Sequence, residues 1–213
     1  MSNRKYYVDE NSFDDIESEE VQYWVGFLMA DGCITGNVLK LKLQHSDKKQ
    51  VLKFKDFLKS EHIVKKVNEY NNHKTCSFDV YSKKLTDVLS NRYNIIPNKT
   101  KTAECPEELI NSRHFWRGVI DGDGSVNFKN EKAFIGLWSG SIKLLKQFET
   151  FVKNNVKIRN KITKGHRCYC FRNHSQKAAP KIIKLLYKDS NVHLNRKKKA
   201  AIKVLKEVDI DEQ

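Results

Sequence analysis

The sequence predicts an α+β protein of two pseudo-symmetric αββαββα halves, each carrying a four-stranded antiparallel sheet. Three observations predict it. First, YWVGFLMADGCI (residues 23–34) and FWRGVIDGDGSV (residues 115–126) both read aromatic-Trp-x-Gly, then a short apolar run, then Asp-Gly. Second, LKLKLQHSDKKQVLKFKDFLK after the first stretch matches AFIGLWSGSIKLLKQFETFVK after the second, setting Leu43 against Leu137, Phe54 against Phe148, Phe57 against Phe151 and Lys59 against Lys153. Third, KKVNEYNNHKTCSFDVYS matches VKIRNKITKGHRCYCFRN, and IIPNKTKTA matches VHLNRKKKA. The offset is 92 residues at the Asp-Gly pairs and 94 further on. Two copies of one unit of about ninety residues, the second with a short insertion, account for this. The halves divide as residues 1–104, opening on an acidic lead-in at 1–17, and residues 105–213.

Each element has a local reason. Ser18 stands in the capping position before Glu19 and Glu20, and Val21, Trp24, Val25 and Leu28 recur at helical spacing, so a helix runs to Asp31-Gly32. Two strands follow. In VLKLKLQ, strict alternation puts Leu39, Leu41 and Leu43 on one face and Lys40, Lys42 and Gln44 on the other. A helix from Asp47 to about Ser60 gathers Val51, Phe54, Phe57 and Leu58 on its apolar side. A hairpin turning at Asn71-Asn72 and a helix over Leu85, Val88 and Leu89 complete the half. The second half repeats the order, with Lys157, Arg159 and Lys161 alternating along its third strand. Helices on one side of each sheet leave the other side open, polar and basic.

Composition narrows the function. Of 213 residues 39% are hydrophobic, enough for a core. No apolar run approaches the roughly 20 residues of a membrane span. An acidic N-terminus without an apolar leader and five cysteines without framework spacing predict a reducing, intracellular setting. The net charge is +14, yet residues 1–20 hold two basic and seven acidic side chains, so the rest of the chain carries +19. A body this basic attracts polyanions, nucleic acid first among them; a solvated lysine-rich surface is the bland alternative. Strand ribbons fit the DNA major groove, where Lys, Arg, Asn and Gln read base edges. The open faces are therefore assigned to DNA: Lys40, Lys42 and Gln44 in the first half, and Lys129, Lys132, Trp138, Lys157, Arg159 and Lys161 in the second.

Asp31 and Asp123 end their helices, where the helix dipole is negative and opposes a carboxylate by up to about 1 kcal/mol. The following glycines read as left-handed caps. Two such acids at matched positions call for a compensating cation, a divalent metal bridging to phosphate. Gly26 and Gly118 lie inside the same helices, where glycine costs about 1 kcal/mol relative to alanine. Close packing of the two helices through these glycines explains that cost and carries Asp31 and Asp123 to adjacent positions about a pseudo-two-fold axis.

The pair WVGFLMADG and WRGVIDGDG, with the repeated units behind it, resembles the two motifs of single-chain LAGLIDADG homing endonucleases, from about residue 16 to 206. The resemblance implies that the motif helices form the interface between halves and that the sheets make a saddle over a long double-stranded DNA target. It implies that Asp31 and Asp123 bind Mg²⁺ or Mn²⁺ at the scissile phosphates, with the carbonyls of Ala30 and Gly122 as further ligands. Both strands would be hydrolysed across the minor groove, leaving 3′ overhangs, by a monomer encoded in an intron or a free-standing gene. Gln44 would order active-site water, and Lys99 and its counterpart Arg196 would stand near the scissile phosphates. Met29 replaces a frequent motif acid. Trp138 stands where Gln44 has its duplicate, which implies unequal cleavage of the two strands.

Two other readings share this scaffold: an intron maturase that binds RNA, and a DNA-binding regulator without chemistry. A zinc site at His166, Cys168 and Cys170 is disfavoured, because His166 and Cys170 on one strand would lie about 13 Å apart. A hairpin with its thiols toward the core fits those residues better. RKKKA reads as the phosphate-contacting start of an amphipathic helix through Ala200, Ala201, Val204 and Leu205.

Overall fold

Helix α1 (Glu19–Asp31) passes without a loop into a hairpin of β1 (Gly32–Thr35) and β2 (Val38–Gln44). The structure is a computed structural model and describes residues 5–68, 74–158 and 160–211. Helix α2 (Lys48–Phe57), strands β3 (Lys65–Asn68) and β4 (Lys74–Tyr81) and helix α3 (Lys83–Asn91) complete the first unit. The second unit repeats the order as α4 (Arg113–Asp123), β5 (Gly124–Lys129), β6 (Lys132–Ser139), α5 (Ile142–Asn155), β7 (Thr163–Lys164), β8 (Tyr169–Asn173) and α6 (Ala178–Tyr187). Helix α7 (Asn195–Asp211) comes last, opened by the RKKKA run. The sheets are antiparallel, in the orders β1-β2-β4-β3 and β5-β6-β8-β7, so the expected fold class is borne out. Among the described residues no helix is long and apolar enough to cross a membrane.

The duplication is repeated in the packing. In the first unit Trp24 meets Phe54 with centroids 4.9 Å apart, and Phe54 meets Phe78 edge-on at 6.0 Å. In the second, Trp116 meets Phe148 at 5.3 Å and Phe148 meets Phe171 edge-on at 5.0 Å. Each cluster pins its motif helix to the second helix and to the inner face of its sheet. Aromatic pairs in these geometries contribute about 0.5–1.5 kcal/mol each beyond area burial. The acidic lead-in is part of the first unit: Asp9 N–H donates to the Leu58 carbonyl at 2.9 Å, and buried Phe13 packs edge-on against Phe57 at 5.1 Å.

The structure corrects several expectations. Helix α2 stops at Phe57, because Lys59 turns left-handed at φ 45°. Ser18 occupies the N-cap of α1 without a side-chain bond; in the second unit Ser112, which aligns with Glu20, does cap the shorter α4, accepting from Phe115 N–H at 3.0 Å. Gly32 and Gly124 are extended rather than left-handed, at φ −75° and −98°. Their need for glycine is steric: a Cβ on either would lie 2.6 Å from a carbonyl of the preceding helix turn, Leu28 or Ile120. The third strand of the second unit shrinks to Thr163–Lys164, which leaves Lys157 and Lys161 exposed in irregular chain before it. Arg159 and the Asn71-Asn72 turn lie outside the described residues. Cys170 is buried, but at the strand position opposite Trp138, on the side of the sheet away from the helices.

The largest correction concerns register. Gly32 pairs with Leu41 and Gly124 with Leu137; Leu41 pairs with Phe78 and Leu137 with Phe171. Leu137 is therefore the structural counterpart of Leu41, not of Leu43. The β5–β6 hairpin is longer by two residues on each strand, and the connection into α5 is two residues shorter. Trp138 thus duplicates Lys42, and the duplicate of Gln44 is Gly140.

Candidate active site at the paired helix ends

Helices α1 and α4 cross at Gly26 and Gly118. A Cβ on Gly26 would lie 2.0 Å from the Phe115 carbonyl oxygen, and one on Gly118 would lie 2.1 Å from that of Tyr23. Backbone therefore rests on backbone, and the helix ends converge. A Cβ on Gly122 would sit 2.3 Å from Ala30 Cβ and 3.3 Å from Asp31 Oδ2, so the Asp31 carboxylate lies against the end of the opposite helix.

Among the described residues no hydrogen bond or ion pair reaches the carboxylate of Asp31 or Asp123. Burial raises the pKa of Asp31 to about 6, and the neighbouring charge of Asp123 pushes the same way, against the pull of Lys197, Lys99 and Arg196. Asp123 is raised as well, by its protein surroundings, with Lys99 and Lys197 opposing, although one edge of the residue is open to solvent. Two acids brought together at negative helix ends oppose folding when both are charged. Since the folded pKa of Asp31 lies above its unfolded value, its contribution to stability is present below about pH 4 and lost as pH rises through about 6. Without divalent metal, Asp31→Asn is therefore expected to be more stable than the parent at pH 7.5, by roughly 1–2 kcal/mol after solvent screening. That advantage should vanish near pH 3.5 in parallel urea titrations.

Two buried lysines flank the acids. Lys99 Nζ donates to the carbonyl of Gly32, and Lys197 Nζ donates to those of Gly124, Ile120 and Asp121 at 2.7, 2.6 and 2.7 Å. The lysine that duplicates Lys99 is thus Lys197, one residue beyond the sequence match. Burial lowers the pKa of Lys197 to about 8. Its ammonium adds a charged donor to carbonyls at the end of α4, where the Ile120 carbonyl also accepts from Gly124 N–H. Lys197→Met should destabilise the fold by about 3 kcal/mol in denaturant titration, because those carbonyls lose a charged donor. Arg196 instead reaches out to Asp47, with Nε 3.2 Å from Oδ2, and is more than half exposed.

Asp121, which duplicates Met29, is fully enclosed. It accepts from Tyr187 Oη at 2.6 Å, Leu194 N–H at 2.6 Å and Tyr23 Oη at 2.9 Å, and Gln50 donates to Tyr23 Oη at 2.7 Å. Buried Arg117 donates to Glu19 at 2.7 Å and to the carbonyls of Val192 and Leu186 at 2.9 and 3.0 Å. Together they clamp the segment before α7, so that its first turn delivers Lys197 to the end of α4. Sequence reasoning missed both Lys197 and Asp121: a run of basic residues hides the lysine, and a motif acid is not visibly structural until its partners are known.

Six of the remaining assigned residues lie on the open faces. Lys40, Lys42 and Gln44 are exposed along β2, Lys40 lying 3.9 Å from Asp79. Lys129 and Lys132 are exposed at the far end of the β5–β6 hairpin, and Trp138 is half-buried on β6. The structure brings Asp31, Asp123, Lys99, Ala30 and Gly122 together; Lys157 and Lys161 fall outside the strands. No group of three or more His, Cys, Asp or Glu among the described residues could hold a metal. Two carboxylates with backbone carbonyls nearby form an oxygen-only donor set, which suits a hard cation that keeps water or phosphate in its remaining positions.

Residues 110–202 match the family model of a LAGLIDADG-like domain. No curated protein matches the chain in sequence. Among solved structures, the LAGLIDADG meganuclease I-AabMI bound to uncleaved DNA is similar at a TM-score of 0.60 and 10% identity, over 90% of this chain and 91% of that one. The homing endonuclease I-WcaI bound to its DNA recognition sequence gives 0.62 and 12%, over 86% and 85%. The N-terminal LAGLIDADG domain of DUF199/WhiA gives 0.54 and 12%, over 88% and 92%. At these identities the likeness is one of fold, and it bears out the resemblance carried by the two Asp-Gly motifs.

Proposed function

We infer that this chain, which takes the LAGLIDADG fold and whose residues 110–202 form a LAGLIDADG-like domain, is a metal-dependent endonuclease that hydrolyses both strands of a long duplex DNA site. The observation that carries this reading is the pair of carboxylates without partners among the described residues, Asp31 and Asp123, at the crossing of two glycine-packed helices, between two sheets with open faces. Residues 1–104 and 105–213 are its two halves, each serving one strand.

Asp31 and Asp123, with the carbonyls of Ala30 and Gly122, would hold Mg²⁺ or Mn²⁺. When bound, the cation supplies an acidified water and neutralises charge on the phosphate oxygens. The chain's own residues set the geometry. The helix crossing fixes the separation of the two acids, and so of the two phosphates that they address. Lys99 and Lys197, held on the carbonyls that follow the acids, place fixed positive charge where the pentavalent phosphorus gathers negative charge. Gln44 stands three residues past the register of Gly32, roughly 10 Å along the strand, as a polar group for ordering water. Its counterpart Gly140 has no side chain, so the strand facing Asp123 should be cut at a different rate. By analogy of fold the cuts cross the minor groove and leave 3′ overhangs, and the protein acts as a monomer.

The test is incubation of the purified chain with a randomised duplex library in Mg²⁺ or Mn²⁺, followed by sequencing of the ends, with EDTA as control. Discrete paired breaks with 3′ overhangs support the reading. Binding without cleavage, tighter to structured intron RNA, would replace it with the RNA-binding maturase.

A further inference from the structure

The open faces of the two sheets carry different chemistry at equivalent positions. With Leu41 and Leu137 equivalent, Val38, Lys40, Lys42 and Gln44 of β2 correspond to Phe134, Gly136 and Trp138 of β6 and to Gly140 just past its end. Two lysines have become a glycine and a tryptophan. The exchange is built in rather than incidental. The Phe134 and Trp138 rings lean together over Gly136 with centroids 6.2 Å apart; a Cβ there would lie 2.7 Å from Trp138 Cη2 and 2.8 Å from Phe134 Cζ. The exposed His174 ring lies against Phe134, tilted by 34° with centroids 4.7 Å apart. The result is an apolar ridge running outward from the helix ends, on a sheet whose open side also presents Asn127, Arg172 and Lys132.

We propose that Phe134 and Trp138 make the C-terminal half select thymine, through apolar contact with the C5-methyl groups of its half-site in the major groove, whereas the N-terminal half reads hydrogen-bonding edges with Lys40 and Lys42. This rests on the duplex-DNA reading above. The thymine methyl is the one apolar group that a base presents in the major groove. The ridge continues the face assigned to DNA, and its cationic flanks suit a polyanion and repel a second copy of so basic a chain. Single-stranded stacking would use the same rings, but it needs bases unpaired along the site.

The experiment uses the full chain and the site recovered from the cleavage library. Thymines of each half-site are replaced separately by deoxyuridine, which removes only the methyl, and binding is measured with the Asp31→Asn, Asp123→Asn double variant. The expected result is a loss of about fourfold per methyl in the C-terminal half-site and none in the other. In the same background Trp138→Lys, which restores the residue of the equivalent β2 position, should abolish sensitivity at the inner position and shift its preference toward guanine; Phe134→Leu should keep part of the outer one. A half-site without thymine, or one indifferent to uracil while binding persists, overturns the proposal and leaves the endonuclease reading intact. Tighter binding to the single strand than to the duplex overturns it in favour of stacking. Failure to bind any duplex removes the underlying reading itself.

Discussion

Replacing Asp31 and Asp123 by asparagine is expected to abolish double-strand cleavage while leaving duplex binding unchanged or slightly tighter. Each single replacement should lower the rate of its own strand by at least ~10³-fold, since on the proposed reading each would remove an anionic ligand that asparagine does not restore. Binding should survive because, on that reading, the acids would face phosphate, and removing negative charge there would relieve repulsion. The same change relieves the mutual repulsion that helps to hold Asp31 near a pKa of about 6, so the inactive variant should also be the more stable one. Stopped-time cleavage assays on a supercoiled target separate the cases. A single variant that accumulates nicked circles shows one acid per strand, whereas a single variant that makes neither cut shows that the two acids act as one site. A double variant that still cleaves would remove both carboxylates from the mechanism.

The second large effect is on the fold. Gly26→Ala or Gly118→Ala would ordinarily stabilise a helix by about 1 kcal/mol. Here the sign reverses. The added methyl would stand 2.0 or 2.1 Å from a backbone carbonyl oxygen of the partner helix, and backbone, unlike a side chain, cannot swing aside. The helices would have to separate, loosening the packing that both halves share. A net loss of about 3 kcal/mol or more is expected for either variant, toward the upper end for overpacking. It would be read as a fall in the urea midpoint. Alanine at Gly36, which has no atom within 4 Å of its would-be Cβ, controls for steric crowding, with only the modest cost of its left-handed φ. Because the crossing also spaces the acids, surviving protein should cleave poorly even where it is folded. Unchanged stability in both variants would mean that the helices do not touch at these glycines.

Features with local causes were legible in the sequence. Strand alternation in VLKLKLQ, the helical recurrence of Trp24 and Leu28 and the duplication of whole segments depend on neighbours in the chain, so element order and the twofold architecture could be read directly. The same holds for Asp31 and Asp123, marked by a charge against a helix dipole at matched positions. Register was different. An alignment sees one insertion of two residues, whereas strand pairing shows four added in the hairpin and two removed after it; sequence spacing records only their sum. That slip put Trp138 opposite Gln44 instead of Lys42 and concealed the aromatic ridge. Lys197 was hidden because it stands in an unbroken basic run with Arg196, Lys198 and Lys199, whose members look alike until burial selects one. Asp121 shares its residue type with Asp123 two positions away. Only the tertiary structure, by surrounding one carboxylate with two tyrosines and an amide and leaving the other without a partner among the described residues, decided which of them holds the fold and which is left as a candidate ligand.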